Sequence, residues 1–329
     1  MKKIVSFFGD KSDVFVQLNQ RSAEYAESLG LSYTWVPQLP YHQEDVIEHL
    51  KNADCGIIDV EPYGEPVFRE IEGKCPLLVR FGVGFDKVDL NAATAHGVAV
   101  ARTTGSNASG VAEMAVALIF AARRELRFNR IHCVDTGKWA KNISNETIGS
   151  TIGILGFGNI GRITARLFQA LGCEVIAYDP YPNEALAREA GIALVPLEEL
   201  FRRSDAISVH VPYSQETHHM VNAERLAMMK PSAVIVNTAR GGIIDEDALY
   251  DALKARQIRG AGLDVYLEEP LPASSKLCEL DNLIMMPHLS SQTYESLWNT
   301  YKMAIDIAAD FHAGKAVPHI LNPDYKKHI

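Results

Sequence analysis

The chain has 329 residues, enough for about two domains that each bury a core. Hydrophobic residues make up 47% and charged residues 22%, the balance of an ordinary globular protein. The net charge is −9, and the densest basic clusters are pairs such as Arg123-Arg124 and Arg202-Arg203, which argues against nucleic acid or an anionic membrane as the main partner.

The N-terminal Met-Lys-Lys-Ile-Val-Ser-Phe-Phe-Gly-Asp starts like a signal peptide, but Asp10 ends its apolar run within a few residues. It reads as a first strand instead. No apolar stretch reaches the roughly 20 residues needed to span a bilayer. Strands are expected near residues 3–8, 32–36, 55–59, 77–80 and 98–101, with helical stretches between them. A second series starts at Thr151, with strands near 151–155, 174–178, 206–211, 233–237, 260–264 and 283–286. Helices near 160–171, 197–201, 223–229 and 245–255 separate these strands. Short apolar runs alternating with amphipathic helices are the pattern of parallel sheets covered on both faces. Six strands with helical crossovers make a complete doubly wound sheet. Two longer helical patterns, 109–124 and about 292–313, are expected to cross between domains and return the C-terminal tail to the first one.

Five cysteines, at 55, 75, 133, 173 and 278, form no C-x-x-C pair and no metal-ligand cluster. They read as reduced, mostly buried thiols of a cytoplasmic protein, and no metal site is expected.

The run Thr151-Ile-Gly-Ile-Leu-Gly-Phe-Gly-Asn-Ile-Gly161 is an apolar strand entering G-x-G-x-x-G. That pattern alone is weak. Here a strand precedes it, a helix follows, Gly172 ends the helix, and a second strand ends at Asp179, 18 residues after the last glycine against an expected spacing of about 20. Gly156 permits the tight turn, Gly158 lets the backbone approach a pyrophosphate, and Gly161 lets helix pack on strand. The N–H groups around Asn159 and Ile160 point toward phosphates. Asp179 accepts from ribose hydroxyls and repels a 2′-phosphate, which favours NAD over NADP.

Three later strand ends carry chemistry-bearing residues. Arg240 follows one strand; Asp264 ends the next, with Glu269 in the loop after it; His288 follows the last. Singly, each of these types is common in structural loops. Together, downstream of a dinucleotide motif, they fit hydride transfer to a 2-keto acid. A histidine protonates the developing alkoxide, a carboxylate orients it, and an arginine grips the substrate carboxylate.

The matching stretches Arg80-Phe-Gly-Val-Gly-Phe-Asp-Lys-Val-Asp89, Val111-Ala-Glu113, the glycine motif, His210-Val-Pro212 with Thr217, Met229-Lys-Pro231, Asn237-Thr-Ala-Arg-Gly-Gly242, Leu263-Asp-Val265 with Glu269-Pro270, and Pro287-His288 run through nearly the whole chain. In these the sequence resembles the D-isomer-specific 2-hydroxyacid dehydrogenases, and most of all their phosphoglycerate-dehydrogenase-like branch. The resemblance implies an α/β fold of two doubly wound parallel-sheet domains. A Rossmann NAD-binding domain (104–294) is inserted in a flavodoxin-like substrate domain (1–103 and 295–329). It implies Arg240 on the substrate carboxylate and carbonyl, His288 as acid/base and Glu269 as its partner. The backbone of Gly82, Val83 and Gly84 holds the carboxylate from the first domain. Val211, Pro212 and Thr217 line the adenosine side. Thr238, Ala239 and Arg240 approach the nicotinamide, and Asp264 anchors its carboxamide. It implies a homodimer, with Trp139 near the dimer contact. Arg80 reads equally as a substrate contact or as an internal ion-pair residue.

Several stretches depart from the family pattern. Thr103-Thr104-Gly105 stands where Thr-Pro-Gly is usual, and Leu289-Ser290-Ser291 follows His288 where a small pair with Gly is common. The loop from Asp59 to Gly64 lacks an arginine for a phosphate, and Glu61 disfavours one. The expected activity is hydride transfer between NAD(H) and a small D-2-hydroxy acid, a 3-phosphoglycerate-like acid among the candidates. The alternative is an NAD(H)-sensing, corepressor-like interaction protein.

Overall fold

The protein is described by a computed structural model over residues 1–37, 41–139 and 142–328. It divides into two compact units, Met1–Asn107 with Thr293–Ile329, and Ala108–Gln292.

The first unit is built on five parallel strands, β1 (Lys2–Ser6), β2 (Leu31–Trp35), β3 (Cys55–Ile58), β4 (Leu77–Arg80) and β5 (Ala99–Arg102). Their order is β2-β1-β3-β4-β5, the flavodoxin-like arrangement. Helices α1 (Asp13–Ser28), α2 (Gln43–Leu50), α3 (Glu65–Ile71) and α4 (Leu90–Ala95) connect them. Side chains alternate across the sheet. Ile4, Leu77, Val79 and Ala99 join one core with Leu18 and Ala26 of α1. Val5, Leu78 and Val100 join the other with Val46, Leu50, Phe68 and Ala93. Both faces are dry, which is why these strands read as continuous apolar runs rather than as alternating patterns. Asp89 starts α4 by accepting from the amides of Asn91 and Ala92, both at 3.0 Å.

The second unit starts with α5 (Ala108–Arg123) and α6 (Leu126–Asn129), followed by a π-helical turn at Arg130–Val134. Then come β6 (Thr151–Leu155), α7 (Asn159–Ala170), β7 (Glu174–Tyr178), α8 (Glu184–Glu189), β8 (Ala193–Leu194), α9 (Leu197–Arg203), β9 (Ala206–Val209), α10 (Ala223–Met228), β10 (Val234–Asn237), α11 (Glu246–Lys254), β11 (Gly260–Leu263) and β12 (Leu283–Met285). All pairings are parallel, in the order β12-β11-β10-β9-β6-β7-β8. This is the Rossmann order with an added strand. The sequence predicts six strands here and the sheet has seven. β8 has only two residues, too few to show any period.

The strand order reverses between β6 and β9. The loops after these two strands therefore diverge and leave a crevice at their C-terminal ends, where open α/β sheets take their ligands.

The last helix, α12 (Tyr294–His312), belongs to the first unit and packs on α1, β1 and β4. Tyr301, Ala304, Ile305 and Ala308 enter the core that holds Ile4 and Val79. The tail after it is tied to β5: Val100 N–H donates to Asn322 Oδ1 at 2.8 Å. The two long helices expected to cross between domains thus each pack inside one unit. α5 is buried along Val111, Ala115, Leu118 and Ile119 and covers β10, β11 and β12.

Candidate active site

The loop after β6 is built from glycines with different constraints. Gly156 has φ +103, and a Cβ there would lie 2.5 Å from Val211 N. Gly161 sits in the first turn of α7, where a Cβ would lie 2.1 Å from Gly156 O. Both are required by the protein's own packing. Gly158 is different: a Cβ there meets nothing within 4 Å, and the residue is exposed. Its glycine is needed only if something outside the chain comes close. Asn159 and Ile160 follow as the first residues of α7, whose N-cap, Gly158, has no side chain to cap them. Arg162 is drawn over this helix start, donating to Asn159 Oδ1 at 2.6 Å. The sequence reading missed Arg162, whose position three residues into the helix was the available signal.

Asp179 follows β7 and faces the same loop. Its Oδ2 accepts from Phe157 N–H at 2.7 Å and its Oδ1 from Tyr181 N–H at 2.9 Å. Both oxygens keep spare lone pairs, since a carboxylate accepts about four hydrogen bonds. On the other side of the crevice, His210 N–H donates to Leu155 O at 2.6 Å and presses Val211 against Gly156. Burial pushes the His210 ring down to about 3, so it is neutral, and its Nε2 meets Ser208 Oγ at 2.8 Å. Thr217 folds the following loop by donating to Pro212 O and accepting from Ser214 N–H, each at 2.7 Å.

Arg240, Glu269 and His288 follow three adjacent strands, and Glu269 meets His288 directly. After β10, Asn237 is fully buried and shapes the turn: it accepts from Ala239 N–H at 3.0 Å and donates to Arg240 O at 2.8 Å. Thr238 is 8% exposed, and its hydroxyl is buried with no hydrogen-bond partner among the described residues. Gly241 then lies flat against the loop after β11, where a Cβ would be 1.9 Å from the Tyr266 carbonyl carbon. That contact sets the Arg240 turn directly on the loop that carries Glu269. Glu269 Oε1 accepts from Tyr266 N–H at 2.9 Å, and Oε2 faces His288 Nδ1 at 2.7 Å. The Glu269 and His288 side chains keep 36% and 47% exposure, so a substrate can reach them.

Asp264 is fully buried at the end of β11. It accepts from the amides of Leu289 and Ser290, at 2.9 and 2.8 Å, and from the Ser290 hydroxyl. Glu246, at the start of α11, accepts from Leu267 N–H at 2.6 Å. Burial raises its carboxyl, helped by Asp247 and Glu269. Sequence reasoning missed Glu246, which acts on a backbone amide of a distant loop, and gave Ser290 no role, because its partner Asp264 sits at the end of another strand.

In the first unit, β4 ends at Arg80, which is 9% exposed. Gly82 has φ +123, and the Arg80 Nη1 lies 3.1 Å from where its Cβ would be. The Gly82 amide donates to Thr103 Oγ1 at 2.7 Å, and Val83 O accepts from Arg102 Nη1 at 3.2 Å. The loop from Gly82 to Gly84 is therefore shaped by Arg80 below and Thr103 beside it. At the end of β3, burial pushes the Asp59 carboxyl up to about 6, against the pull of Arg80 and with the help of Glu61. Among the described residues no group of three His, Cys, Asp or Glu side chains could hold a metal, and no helix is long and apolar enough to cross a membrane.

Residues 116–290 match the D-isomer specific 2-hydroxyacid dehydrogenase, NAD binding domain, family. Glyoxylate reductase of Korarchaeum cryptofilum is 35% identical over 301 residues, which are 89% of this chain and 90% of that protein. D-3-phosphoglycerate dehydrogenase of Mycobacterium tuberculosis is 40% identical over 253 residues, 76% of this chain but 47% of that protein, so the chain spans about half its length. Among solved structures, D-2-hydroxyisocaproate dehydrogenase matches with a TM-score of 0.87 at 25% identity, covering 98% of this chain and 100% of that one. The D-lactate dehydrogenase from Escherichia coli matches with a TM-score of 0.81 at 28% identity, covering 98% of this chain and 100% of that one. The chain belongs to the D-isomer specific 2-hydroxyacid dehydrogenase family and is an NAD-linked oxidoreductase of that family.

Proposed function

We propose that this chain interconverts a small, unphosphorylated D-2-hydroxy acid and its 2-keto acid, with Arg240, Glu269 and His288 as the catalytic residues. The observation that carries this reading is the 2.7 Å contact between Glu269 and His288, on a loop that packs against the Arg240 turn. NAD(H), when bound, supplies or accepts the hydride at C2 of the substrate. His288 holds the matching proton at Nε2 and delivers it to the carbonyl oxygen as the alkoxide forms. Glu269 receives Nδ1–H, which fixes the tautomer that leaves Nε2 for the substrate. The Arg240 guanidinium grips the substrate carboxylate by a forked, charge-assisted contact.

Gly156, Gly158, Asn159, Ile160 and Gly161 form the pyrophosphate cradle in this reading, with Arg162 as an added cation. The fit is supported by Gly158, the one glycine of the motif whose missing Cβ the protein itself does not require. Asp179 takes the adenosine ribose, and Val211, Pro212 and Thr217 line that side. Thr238, Ala239 and Asp264 meet the nicotinamide half; the buried Thr238 hydroxyl, without a partner among the described residues, supports this placement. We assign residues 1–103 and 295–329 to the substrate domain and 104–294 to the NAD-binding domain. In the substrate domain, Val83 and Gly84 offer amides to the substrate carboxylate, while Arg80 and Gly82 shape the loop. Asp59 and Glu61 at the end of β3 disfavour a phosphate. A cytoplasmic location fits five unpaired cysteines, four of them buried. A homodimer fits the exposed apolar side chains of Leu126, Val134, Trp139, Ile143 and Ile148, which light scattering on the eluting peak would test.

The deciding experiment is an NADH-oxidation screen over glyoxylate, hydroxypyruvate, pyruvate, phenylpyruvate, 2-oxoglutarate and 3-phosphohydroxypyruvate. Turnover is expected with a small unphosphorylated acid. Tight NADH binding with no turnover on any of them would overturn the reading, and a preference for 3-phosphohydroxypyruvate would overturn the role given to Asp59 and Glu61.

A further inference from the structure

His288 has φ 54, in the left-handed region that an L side chain occupies only when its surroundings impose it. Both sides of the residue are tied to the end of β11. Before it, Met286 N–H donates to Leu263 O at 2.8 Å, and the Tyr266 hydroxyl donates to Met286 O at 2.9 Å. After it, Leu289 N–H donates to Asp264 Oδ1 at 2.9 Å and Ser290 N–H to Oδ2 at 2.8 Å, with the Ser290 hydroxyl also on Oδ2. Asp264 is fully buried and Ser290 is 4% exposed. Hydrogen bonds to a desolvated carboxylate are short and strong. The backbone cannot turn about His288 without breaking all three of these bonds.

We propose that Ser290 is a positioning residue for the acid/base histidine. Its hydroxyl, acting through Asp264, holds His288 in the left-handed conformation that aims the imidazole at Glu269. A carboxylate has about four acceptor positions. Oδ2 uses both of its positions on Ser290, and Oδ1 uses one on Leu289. Asp264 thus spends three of its about four positions on the loop that carries His288, and the Ser290 hydroxyl shares Oδ2 with the Ser290 amide. Without the hydroxyl, the two amides remain on Asp264 but hold the loop less tightly, and the imidazole loses part of its fixed aim. This inference rests on the acid/base role proposed for His288.

The test uses the full chain with Ser290→Ala, and glyoxylate or whichever keto acid of the screen turns over fastest. We expect kcat to fall about tenfold, as for the loss of part of one charge-assisted hydrogen bond. The KM for the keto acid, the NADH dissociation constant and the NADH stoichiometry stay within twofold. The solvent isotope effect on kcat rises, because a badly aimed histidine makes proton transfer slower relative to other steps. A kcat within twofold of the unaltered protein with an unchanged isotope effect overturns the proposal. So does a fall in kcat matched by an equal fall in NADH stoichiometry, which means only less folded protein. If Ser290→Ala does not fold, amide hydrogen exchange on the unaltered protein decides. The amides of Leu289 and Ser290 must exchange slowly, and fast exchange refutes the clamp. His288→Ala that retains turnover refutes the acid/base reading instead, so the two failures are told apart.

Discussion

Glu269 Oε2 lies 2.7 Å from His288 Nδ1, while the other oxygen of the same carboxylate accepts the amide of Tyr266 at 2.9 Å. The carboxylate is thus aimed by its own loop before it meets the histidine. Preorganisation of this kind lets a proton move without first rearranging the donor.

The pair should be separable by substitution. His288→Ala is expected to lower kcat by about 10²–10⁴-fold, the usual contribution of general acid–base catalysis. Glu269→Gln keeps the shape but loses the charge, and should lower kcat by about 10²-fold. Both should bind NADH as tightly as the unaltered protein, since neither touches the glycine loop. Fluorescence titration with steady-state kinetics measures this, and unchanged turnover in either variant removes that residue from the mechanism.

The glycine loop makes a second prediction by contrast. Gly158→Ala adds a methyl into open space and should leave the unfolding midpoint unchanged while weakening NADH binding at least tenfold. Gly161→Ala drives a methyl toward Gly156 O, 2.1 Å away, and should lower the unfolding midpoint even without cofactor. Calorimetry with and without NADH separates the two. Equal destabilisation by both variants would show that Gly158 serves the fold and not a ligand.

Asp179 should control cofactor choice. Asp179→Ser removes the charge that repels a 2′-phosphate, and the ratio of kcat/KM for NADPH over NADH is expected to rise at least tenfold. NADH activity should fall as well, because Asp179 also holds the Phe157 amide at 2.7 Å. A ratio that does not move places the ribose elsewhere.

In the first unit, His96 links two glutamates that flank α3, with Nδ1 on Glu72 and Nε2 on Glu65, both at 2.9 Å. Glu72 and then Glu65 raise its pKa, against a smaller effect of burial. A raised folded-state pKa contributes stability that is fully present below the unfolded value of about 6.5, and that is lost as pH rises through the folded value. His96→Gln should therefore lower Tm more at pH 6 than at pH 9. The glutamate side chains are 56% exposed, so the difference is about 0.5 kcal/mol. Equal losses at the two pH values would mean that the ring acts by packing alone.

Most of the secondary structure is legible in the sequence, because strands buried on both faces write themselves as apolar runs. β4, β6 and β7 have the bounds their residues suggest. The glycine loop is legible too, since each glycine answers a backbone constraint within a few residues of its own position. The sequence also places Arg240, Asp264, Glu269 and His288 after strands, at the C-terminal ends where open α/β sheets take their ligands. Their partners are another matter. Glu269 and His288 are 19 residues apart, and Asp264 and Ser290 are 26 apart, with β12 between the members of each pair. Only the order β12-β11-β10 makes them neighbours. The same holds for Gly82, whose amide looks available in the sequence and is taken by Thr103 from the adjacent strand end. Periodicity and turn chemistry are local and survive in one dimension. Which oxygen a given donor reaches depends on how strands pair across the sheet, and the tertiary structure alone decides that.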